Sequence, residues 1–211
     1  MIQAFRNFLT RRTFAYKLRN KAMNMFSSFE NFNLIREKAE ASRKAENRPH
    51  EVLYFHKVDD PYSHLTIHYI DKFKEAYDIQ FKPILVGEEN PAALHEPTLY
   101  TDYCLEDVIR IASYYDVDFP GKSYPDKKLV DIANSILTAV NPEEFGSIAK
   151  IVSHALWSGD LSKLEELEVS HKSSEQEVIE TLKEGNEIRN SCDYYFGSAF
   201  YYEKELYWGV D

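Results

Sequence analysis

The sequence predicts an α/β fold in which strands near the two ends of the chain bracket a block of helices. The first observation is a strand–helix–strand unit: residues 51–58 and 79–86 are short, β-rich apolar runs, and residues 61–76 have helical length and periodicity. The second is a succession of helical patterns between residues 90 and 190, and the third is a closing hairpin at residues 199–208. The crossover of the opening unit should be right-handed.

The element boundaries are marked by residues with positional preferences. Pro83 in the second strand is expected toward a sheet edge or a strand end. Asn141 and Pro142 provide an N-cap and a proline at the first helical position, and Ser174 precedes another amphipathic run. The closing hairpin should turn at Glu203 and Lys204. The helices predicted between the strands cover residues 105–115, 127–140, 142–157, 161–167 and 174–189.

Residues 1–49 are predicted to form a basic helical extension. Residues 1–21 carry six cations and no acid. Helical spacing predicts an apolar stripe made of Leu18, Ala22, Met25, Phe26 and Phe29. This stripe favours a surface helix docked on a core, and the alternatives are a targeting segment or a helix that binds a membrane surface or a partner, including a second copy of the chain. A solvated helix over residues 33–47 should end before Pro49.

Composition excludes some classes of function. The net charge of −10 argues against a nucleic-acid binder, because such proteins need clustered cations to displace counterions from phosphate. No uncharged apolar run approaches the roughly 18 residues of a membrane span. Cys104 and Cys192 are too far apart for a metal-binding pair and too few for a disulfide framework. A reducing, cytoplasmic location fits best, with an organelle as the alternative if the basic N-terminus is a transit peptide.

The four residues 60–63 (DPYS) stand where the first strand passes into the first helix. Aspartate is a preferred N-cap worth about 1 kcal/mol, and proline suits the first helical position. Asp60 and Pro61 therefore have a structural explanation that needs no function. Ser63, one turn into the helix, is weighed evenly between donating a hydrogen bond to a ligand and serving as a capping or solvated residue.

Two other groups of residues invite a functional interpretation. His64 and His68 lie four apart on one helix face, but the stretch lacks the glutamate of a metalloprotease motif, so no metal site is predicted. Tyrosines cluster in two regions, and core packing is favoured over the lining of a hydrophobic pocket between the domains. These tyrosines are Tyr100, Tyr103, Tyr114, Tyr115, Tyr124, Tyr194, Tyr195, Tyr201 and Tyr202. The sequence has no phosphate-cradling glycine loop and no Ser-His-Asp motif.

Segments in the order of the chain resemble the DsbA-like branch of the thioredoxin superfamily. They are residues 81–87 (FKPILVG), 107–112 (DVIRIA) with 117–120 (VDFP), 154–158 (HALWS) and 205–211 (ELYWGVD). Residues 60–63 are nearer to the S-P-Y-S of 2-hydroxychromene-2-carboxylate isomerases and kappa-class glutathione transferases than to the C-P-x-C of oxidoreductases. The resemblance covers about residues 51–211, and it implies a thioredoxin-like fold with an inserted α-helical domain.

That resemblance also implies a domain layout and a site. The thioredoxin-like domain would comprise residues 51–89 and 191–211, and the helical insertion would comprise residues 90–190. Relatives continue after the position of residue 211 into another helix, so a following segment is expected. The implied activity is that of a glutathione-dependent isomerase or transferase, with catalysis altered or lost. Its implied ligand is glutathione or a small hydrophobic or glutathione-conjugated molecule. The implied catalytic residues are Asp60 and Ser63, and the implied binding residues are Tyr62, Ser198, Trp208 and Asp211.

Two of these positions depart from the family pattern. Asp60 stands where relatives hold a cysteine thiolate or the thiol of glutathione, and an ionised carboxylate there would repel a thiolate. Ser198 stands where relatives have a cis-proline, and since a non-proline cis bond costs roughly 2.5–4 kcal/mol, a trans peptide is expected. The alternative function is therefore a non-catalytic module that binds a partner or ligand through the cleft or the N-terminal helix. A disulfide oxidoreductase is a distant third, because neither Asp60 nor Ser63 can form a disulfide.

Overall fold

The computed structural model describes residues 14–88, 94 and 96–210, and its contacts divide the chain into two compact units, residues 1–49 and 50–211. Its regular elements, numbered in chain order, are α1 (Phe14–Phe26), α2 (Phe29–Ala45), β1 (Glu51–His56), α3 (Pro61–Ile67), α4 (Ile70–Ala76), β2 (Gln80–Leu85), α5 (Pro97–Ile111), α6 (Lys127–Thr138), α7 (Phe145–Ser158), α8 (Leu161–Ser170), α9 (Glu175–Ser191), β3 (Ala199–Tyr202) and β4 (Glu205–Trp208). A 3₁₀ turn, Ala112–Tyr115, follows α5. None of these helices is long and apolar enough to cross a membrane.

The first unit contains α1 and α2. The helices are separated at Ser28, whose hydroxyl caps α2 by accepting a hydrogen bond from the backbone N–H of Asn31 at 3.1 Å. The second helix therefore begins earlier than the predicted residue 33. Within this unit Leu18, Met25 and Phe29, members of the predicted apolar stripe, are exposed. A contact with a partner or a second copy through α1 stays a prediction.

The second unit is built on a four-stranded sheet of order β2-β1-β3-β4. Strand β1 pairs in parallel with β2, as a strand–helix–strand unit predicts, and antiparallel with β3. The hairpin β3–β4 turns at Glu203 and Lys204, both with positive φ, as in a type I′ turn. The predicted hairpin and its turn are confirmed.

Successive side chains of β1 point to opposite faces of the sheet, and neighbouring residues therefore belong to different core clusters. Tyr54 belongs to the larger core cluster, which it shares with Ile136 of α6 and Ala149 of α7. Phe55 belongs to a second cluster, with Tyr194 and residues at the end of α9. The approach of α9 to β2 is close: a Cβ at Gly185 would collide with the carbonyl oxygen of Leu85. The mixed α/β fold class predicted from the sequence is confirmed.

Some predicted helix boundaries were wrong. The predicted single helix over residues 61–76 is broken into α3 and α4, because the N–H of His68 bonds back only three residues, to the carbonyl of Leu65. Pro142 does not begin a helix, since α7 starts at Phe145. Helix α5 begins at Pro97, eight residues before the predicted start, with the proline in its first turn.

Candidate functional site

A cavity of about 670 Å³ opens at the carboxyl end of β1. Pockets of roughly 300–1,000 Å³ are typical of small-molecule sites. Its described lining comes from the β1–α3 junction, one face of α5 and the segments around β3 and β4. The main lining residues are Lys57, Asp59, Asp60, Tyr62, Tyr100, Thr101, Tyr103, Cys104, Asp107, Tyr124, Tyr194, Phe196, Gly197, Ser198 and Trp208.

Asp60 is the N-cap of α3. Its φ and ψ of −93° and 120° are extended, and its carboxylate accepts hydrogen bonds from the backbone N–H groups of Tyr62 at 3.3 Å and Ser63 at 2.9 Å. Pro61 occupies the first helical position, where its missing N–H costs nothing. The structural roles predicted for Asp60 and Pro61 are confirmed, and Asp60 also lines the cavity.

Asp60 binds a proton more tightly in the folded protein than an aspartate does in water. Burial raises the pKa of this carboxyl from 3.8 to about 6. The Ser63 hydroxyl, the Lys57 charge and the two capping N–H groups oppose this rise by stabilising the carboxylate. A carboxyl group with a pKa near 6 exchanges protons readily at neutral pH, which is the property required of a general acid or base.

Ser63 is placed differently from Asp60. It is fully buried, it does not line the cavity, and its hydroxyl donates to Oδ2 of Asp60 at 2.7 Å. The backbone N–H of Lys57 also donates to the Ser63 hydroxyl at 3.4 Å. Ser63 therefore acts on Asp60 as a capping residue, and a direct hydrogen bond from Ser63 to a ligand stays a prediction.

The opposite wall of the cavity is one face of α5. Residues Tyr100, Tyr103, Cys104, Asp107 and Ile111 all line it, and their spacing of three and four residues places them on one side of the helix. Across the cavity, the hydroxyl of Tyr62 donates to Oδ2 of Asp107 at 2.7 Å. Neither Asp107 nor Cys104 was predicted to belong to the site, although this spacing is a sequence signal for a shared helix face.

Aromatic side chains form much of the lining. Four of the tyrosines considered as pocket residues, Tyr100, Tyr103, Tyr124 and Tyr194, line the cavity, whereas the other five do not. The ring of Tyr100 stacks on that of Phe196, with centroids 5.0 Å apart and an interplanar angle of 15°. This stack joins α5 to the segment before β3.

Ser198 directly precedes β3. Its preceding peptide bond is trans, as expected, and its φ of 52° is left-handed. Its hydroxyl lies 2.7 Å from that of Thr66, and its carbonyl accepts the N–H of Gly209 at 2.7 Å. Ser198 and the exposed Trp208 both line the cavity. Asp211, the remaining implied binding residue, lies outside the described residues.

The histidines considered for metal binding have other roles. His64 is buried, with Nε2 2.8 Å from the carbonyl oxygen of Asp118 and Nδ1 2.8 Å from the hydroxyl of Ser153. His68 places Nδ1 2.7 Å from the carbonyl oxygen of His64. Over residues 14–88, 94 and 96–210, no group of three or more His, Cys, Asp or Glu side chains is arranged to hold a metal ion.

No protein-family model matches the chain, and no curated protein matches it. Among solved structures, one described as selenomethionine 2-hydroxychromene-2-carboxylate isomerase has a TM-score of 0.51 and 15% sequence identity, and the match covers 75% of this chain and 88% of that chain. At this identity the likeness shows the fold alone, and the isomerase and glutathione-transferase branch stays a prediction. The chain has the mixed α/β, DsbA-like thioredoxin fold.

Proposed function

We propose that the protein binds a small, largely apolar molecule in the cavity and that Asp60 is the general base or acid of an isomerisation of that molecule. The observation that carries this proposal is that one carboxyl group both lines the cavity and has a pKa raised to about 6 by burial. The aromatic lining suits an apolar ligand.

The proposed reaction needs no oxidant or reductant. The Asp60 carboxylate removes a proton from an acidic C–H group of the ligand, and the resulting electron pair delocalises along the conjugated ligand. The same Asp60, now protonated, returns the proton at another carbon. The Ser63 hydroxyl and the two capping N–H groups hold the carboxylate in place during both transfers.

Use of glutathione, implied by the resemblance, is a second proposal for the same site. In the resemblance the position of the family thiol falls on Asp60, whose carboxylate accepts the capping hydrogen bonds itself. A thiolate beside an ionised Asp60 is repelled, so we expect any glutathione-dependent reaction to be weak above pH 6. Calorimetric titration with reduced glutathione tests this: dissociation constants in the millimolar range or lower support it.

A non-catalytic binding module is the other candidate, and one observation favours it. Both oxygens of Asp60 are already committed to hydrogen bonds within the motif, as in an ordinary helix cap. This candidate predicts ligand binding without turnover, so binding and proton transfer have to be measured separately.

The binding experiment uses Nile red, a neutral aromatic dye that becomes fluorescent in apolar surroundings. We expect the wild-type protein to bind it and Thr101→Trp, which places an indole in the cavity lining, to weaken binding at least about tenfold. Asp102→Trp is the matched control, because Asp102 is the next residue of α5 and is exposed outside the lining. Equal dye binding by the two variants would contradict binding in this cavity.

The proton-transfer experiment uses 5-nitrobenzisoxazole, a planar neutral molecule whose ring opens to a coloured phenolate when a base removes its C3 proton. We expect the wild-type rate to rise through pH 6 and to disappear in Asp60→Asn, which keeps a favoured cap residue but cannot take up a proton. Asp107→Asn is the control, because it removes the carboxyl group on the wall that faces Asp60. Loss of turnover in Asp107→Asn with retention in Asp60→Asn would show that Asp107, and not Asp60, is the base.

A further inference from the structure

We infer that the natural ligand of the cavity is an organic cation, an alkylated or aromatic amine with an apolar body. This inference rests on the proposed binding function and names the class of ligand. The sign of the charge is opposite to the net charge of glutathione, which carries two carboxylates and one ammonium group.

Charge in the lining is the first support. The described lining residues include three carboxylates, those of Asp59, Asp60 and Asp107, and one cation, Lys57. The excess of carboxylates gives the cavity a negative potential, and a partly enclosed cavity strengthens such a field because water screens it less. A cation entering the cavity gains from this field, whereas an anion is repelled.

The single lysine is not arranged to receive an anion. Its Nζ lies 3.0 Å from Oδ1 of Asp59, and its side chain is largely buried. The Lys57 charge also acts on Asp60, whose pKa it lowers against the dominant effect of burial. Lys57 is thus surrounded by two aspartates that offset its charge, so an anionic ligand finds no uncompensated cation in the described lining.

The aromatic lining is the second support. Among the described residues, seven aromatic side chains line the cavity: Tyr62, Tyr100, Tyr103, Tyr124, Tyr194, Phe196 and Trp208. The faces of such rings attract cations, and sets of aromatic rings recognise quaternary ammonium groups in proteins. Carboxylates combined with aromatic rings therefore favour a ligand whose charge is spread over an organic group.

The field of Asp60 extends across the cavity to these rings. Burial raises the pKa values of the Tyr100 and Tyr194 hydroxyls, and the negative charge of Asp60 raises them further. The two tyrosines belong to α5 and to the segment before β3, on different walls. Behind Tyr194, the buried Arg189 donates to the carbonyl of Glu88 and opposes the rise in the pKa of Tyr194. The aromatic walls thus lie within the negative field of Asp60.

A bare metal ion fits this cavity less well than an organic cation. The described residues provide no set of three ligating side chains for a metal, and a volume of about 670 Å³ is far larger than an ion needs. One of the carboxylates, Asp107, accepts a hydrogen bond from Tyr62, and this contact holds it at the wall of the cavity.

The test compares three ligands that share a benzyl group and differ in charge: benzyltrimethylammonium, phenylacetamide and phenylacetate. Each is titrated into the wild-type protein with bound Nile red at pH 8, where Asp60 is ionised, and displacement of the dye is measured. We expect the cation to bind about tenfold more tightly than the amide, and the anion to bind most weakly.

Variants locate the origin of this preference. Asp107→Asn keeps the shape of the side chain and an oxygen that accepts from Tyr62, and it should reduce the preference for the cation over the amide to about threefold or less. Asp131→Asn is the control, because it makes the same change of charge at an exposed position outside the cavity. It should leave the preference unchanged.

The outcomes separate this inference from the proposed function. Equal binding of the cation and the amide, or tightest binding of phenylacetate, overturns the inference while leaving a small-molecule cavity in place. Binding of none of the three ligands, together with no binding of Nile red, overturns both. A preference for the cation that survives in Asp107→Asn and in Asp60→Asn places the attraction elsewhere and also overturns the inference.

Discussion

The hydroxyl of Ser63 donates a hydrogen bond to Oδ2 of Asp60 at 2.7 Å, and Ser63 is itself fully buried. The backbone N–H of Ser63 donates to the same oxygen at 2.9 Å. Ser63 therefore holds Asp60 from beneath while Asp60 faces the cavity. Of the two hydrogen bonds, the one from the hydroxyl can be removed without changing the backbone, so it gives the most direct test of how the carboxyl group is tuned.

Ser63→Ala should raise the pKa of Asp60 above 6 and destabilise the fold. The hydroxyl stabilises the carboxylate form, so without it less opposes the rise in the Asp60 pKa that burial causes. We expect a loss of about 2 kcal/mol in the free energy of unfolding at pH 7.5, the usual size for a buried hydrogen bond to a charged group. Denaturant unfolding measures the stability, and NMR titration of the Asp60 carboxyl carbon measures the pKa.

Ser147→Ala is the control for this change. Ser147 is exposed in the first turn of α7 and its hydroxyl donates to the carbonyl of Glu144. A surface change of this kind should alter stability by less than about 0.5 kcal/mol. If Ser63→Ala leaves the pKa of Asp60 unchanged, the hydroxyl does not tune the carboxyl group.

Asp60→Asn should change how stability depends on pH. The folded-state pKa of about 6 lies above the ordinary value of 3.8, so the folded protein binds the proton more tightly. The stability that this group contributes is fully present below pH 3.8 and is lost as the pH rises to about 6. The free energy of unfolding of the wild type, relative to that of Asp60→Asn, should fall on the order of 3 kcal/mol between pH 3.5 and 7.5. Denaturant titrations at five pH values measure it, and a flat difference would show that burial does not perturb Asp60.

The helix start that carries Asp60 could be predicted from the sequence because its signals are local. An aspartate followed by a proline has one well-known use at a strand-to-helix junction, and the structure has both residues in those roles. The hairpin turn at Glu203 and Lys204 was predictable for the same reason, since two short strands flank it directly. Both elements could be predicted because the residues that mark them are neighbours in the sequence.

The partners across the cavity could not be predicted in the same way. Asp107 lies 45 positions from Tyr62 in the chain, and only the packing of α5 against α3 brings the two together. The burial of Ser63 depends on Gly197, whose missing side chain lets the backbone pass close to the motif. Residue spacing along α5 shows which side chains share a helix face, but it does not show which distant residues that face contacts.

Gly197→Ala should destabilise the site by overpacking. An added Cβ would lie 2.9 Å from Cβ of Lys57, 3.2 Å from Oδ2 of Asp60 and 3.3 Å from the hydroxyl of Ser63. We expect a loss of about 1–3 kcal/mol in the free energy of unfolding, together with weaker binding of Nile red. Gly87→Ala is the control, because its nearest contact would be an ordinary 3.5 Å to Asn186. Equal stability of the two variants would contradict the close packing described for Gly197.

His64 should make the protein sensitive to acid. The carbonyl of Asp118 can only accept, so Nε2 carries the proton and Nδ1 accepts from the hydroxyl of Ser153. Burial lowers the pKa of His64 from 6.5 to about 4, so its contribution to stability is lost as the pH falls through that interval. The free energy of unfolding of the wild type relative to His64→Gln should fall on the order of 3 kcal/mol between pH 7.5 and 3.5. Denaturant unfolding at these pH values checks it, and a difference that grows as the pH falls would contradict the neutral assignment.

Ser198 allows a test of how far this chain departs from the family pattern. In the resemblance its position belongs to a proline, but its φ of 52° lies in the left-handed region, and a proline ring holds φ near −65°. Ser198→Pro should therefore lower the free energy of unfolding by about 3 kcal/mol or more and abolish binding of Nile red.

Ser198→Gly is the matched variant, because glycine adopts positive φ freely and loses only the contact with the hydroxyl of Thr66. Relief of strain and loss of that hydrogen bond should nearly cancel, leaving a change within about 1 kcal/mol. Thermal unfolding of both variants measures these effects, and a proline variant as stable as the glycine variant would show that the chain tolerates the family's backbone here.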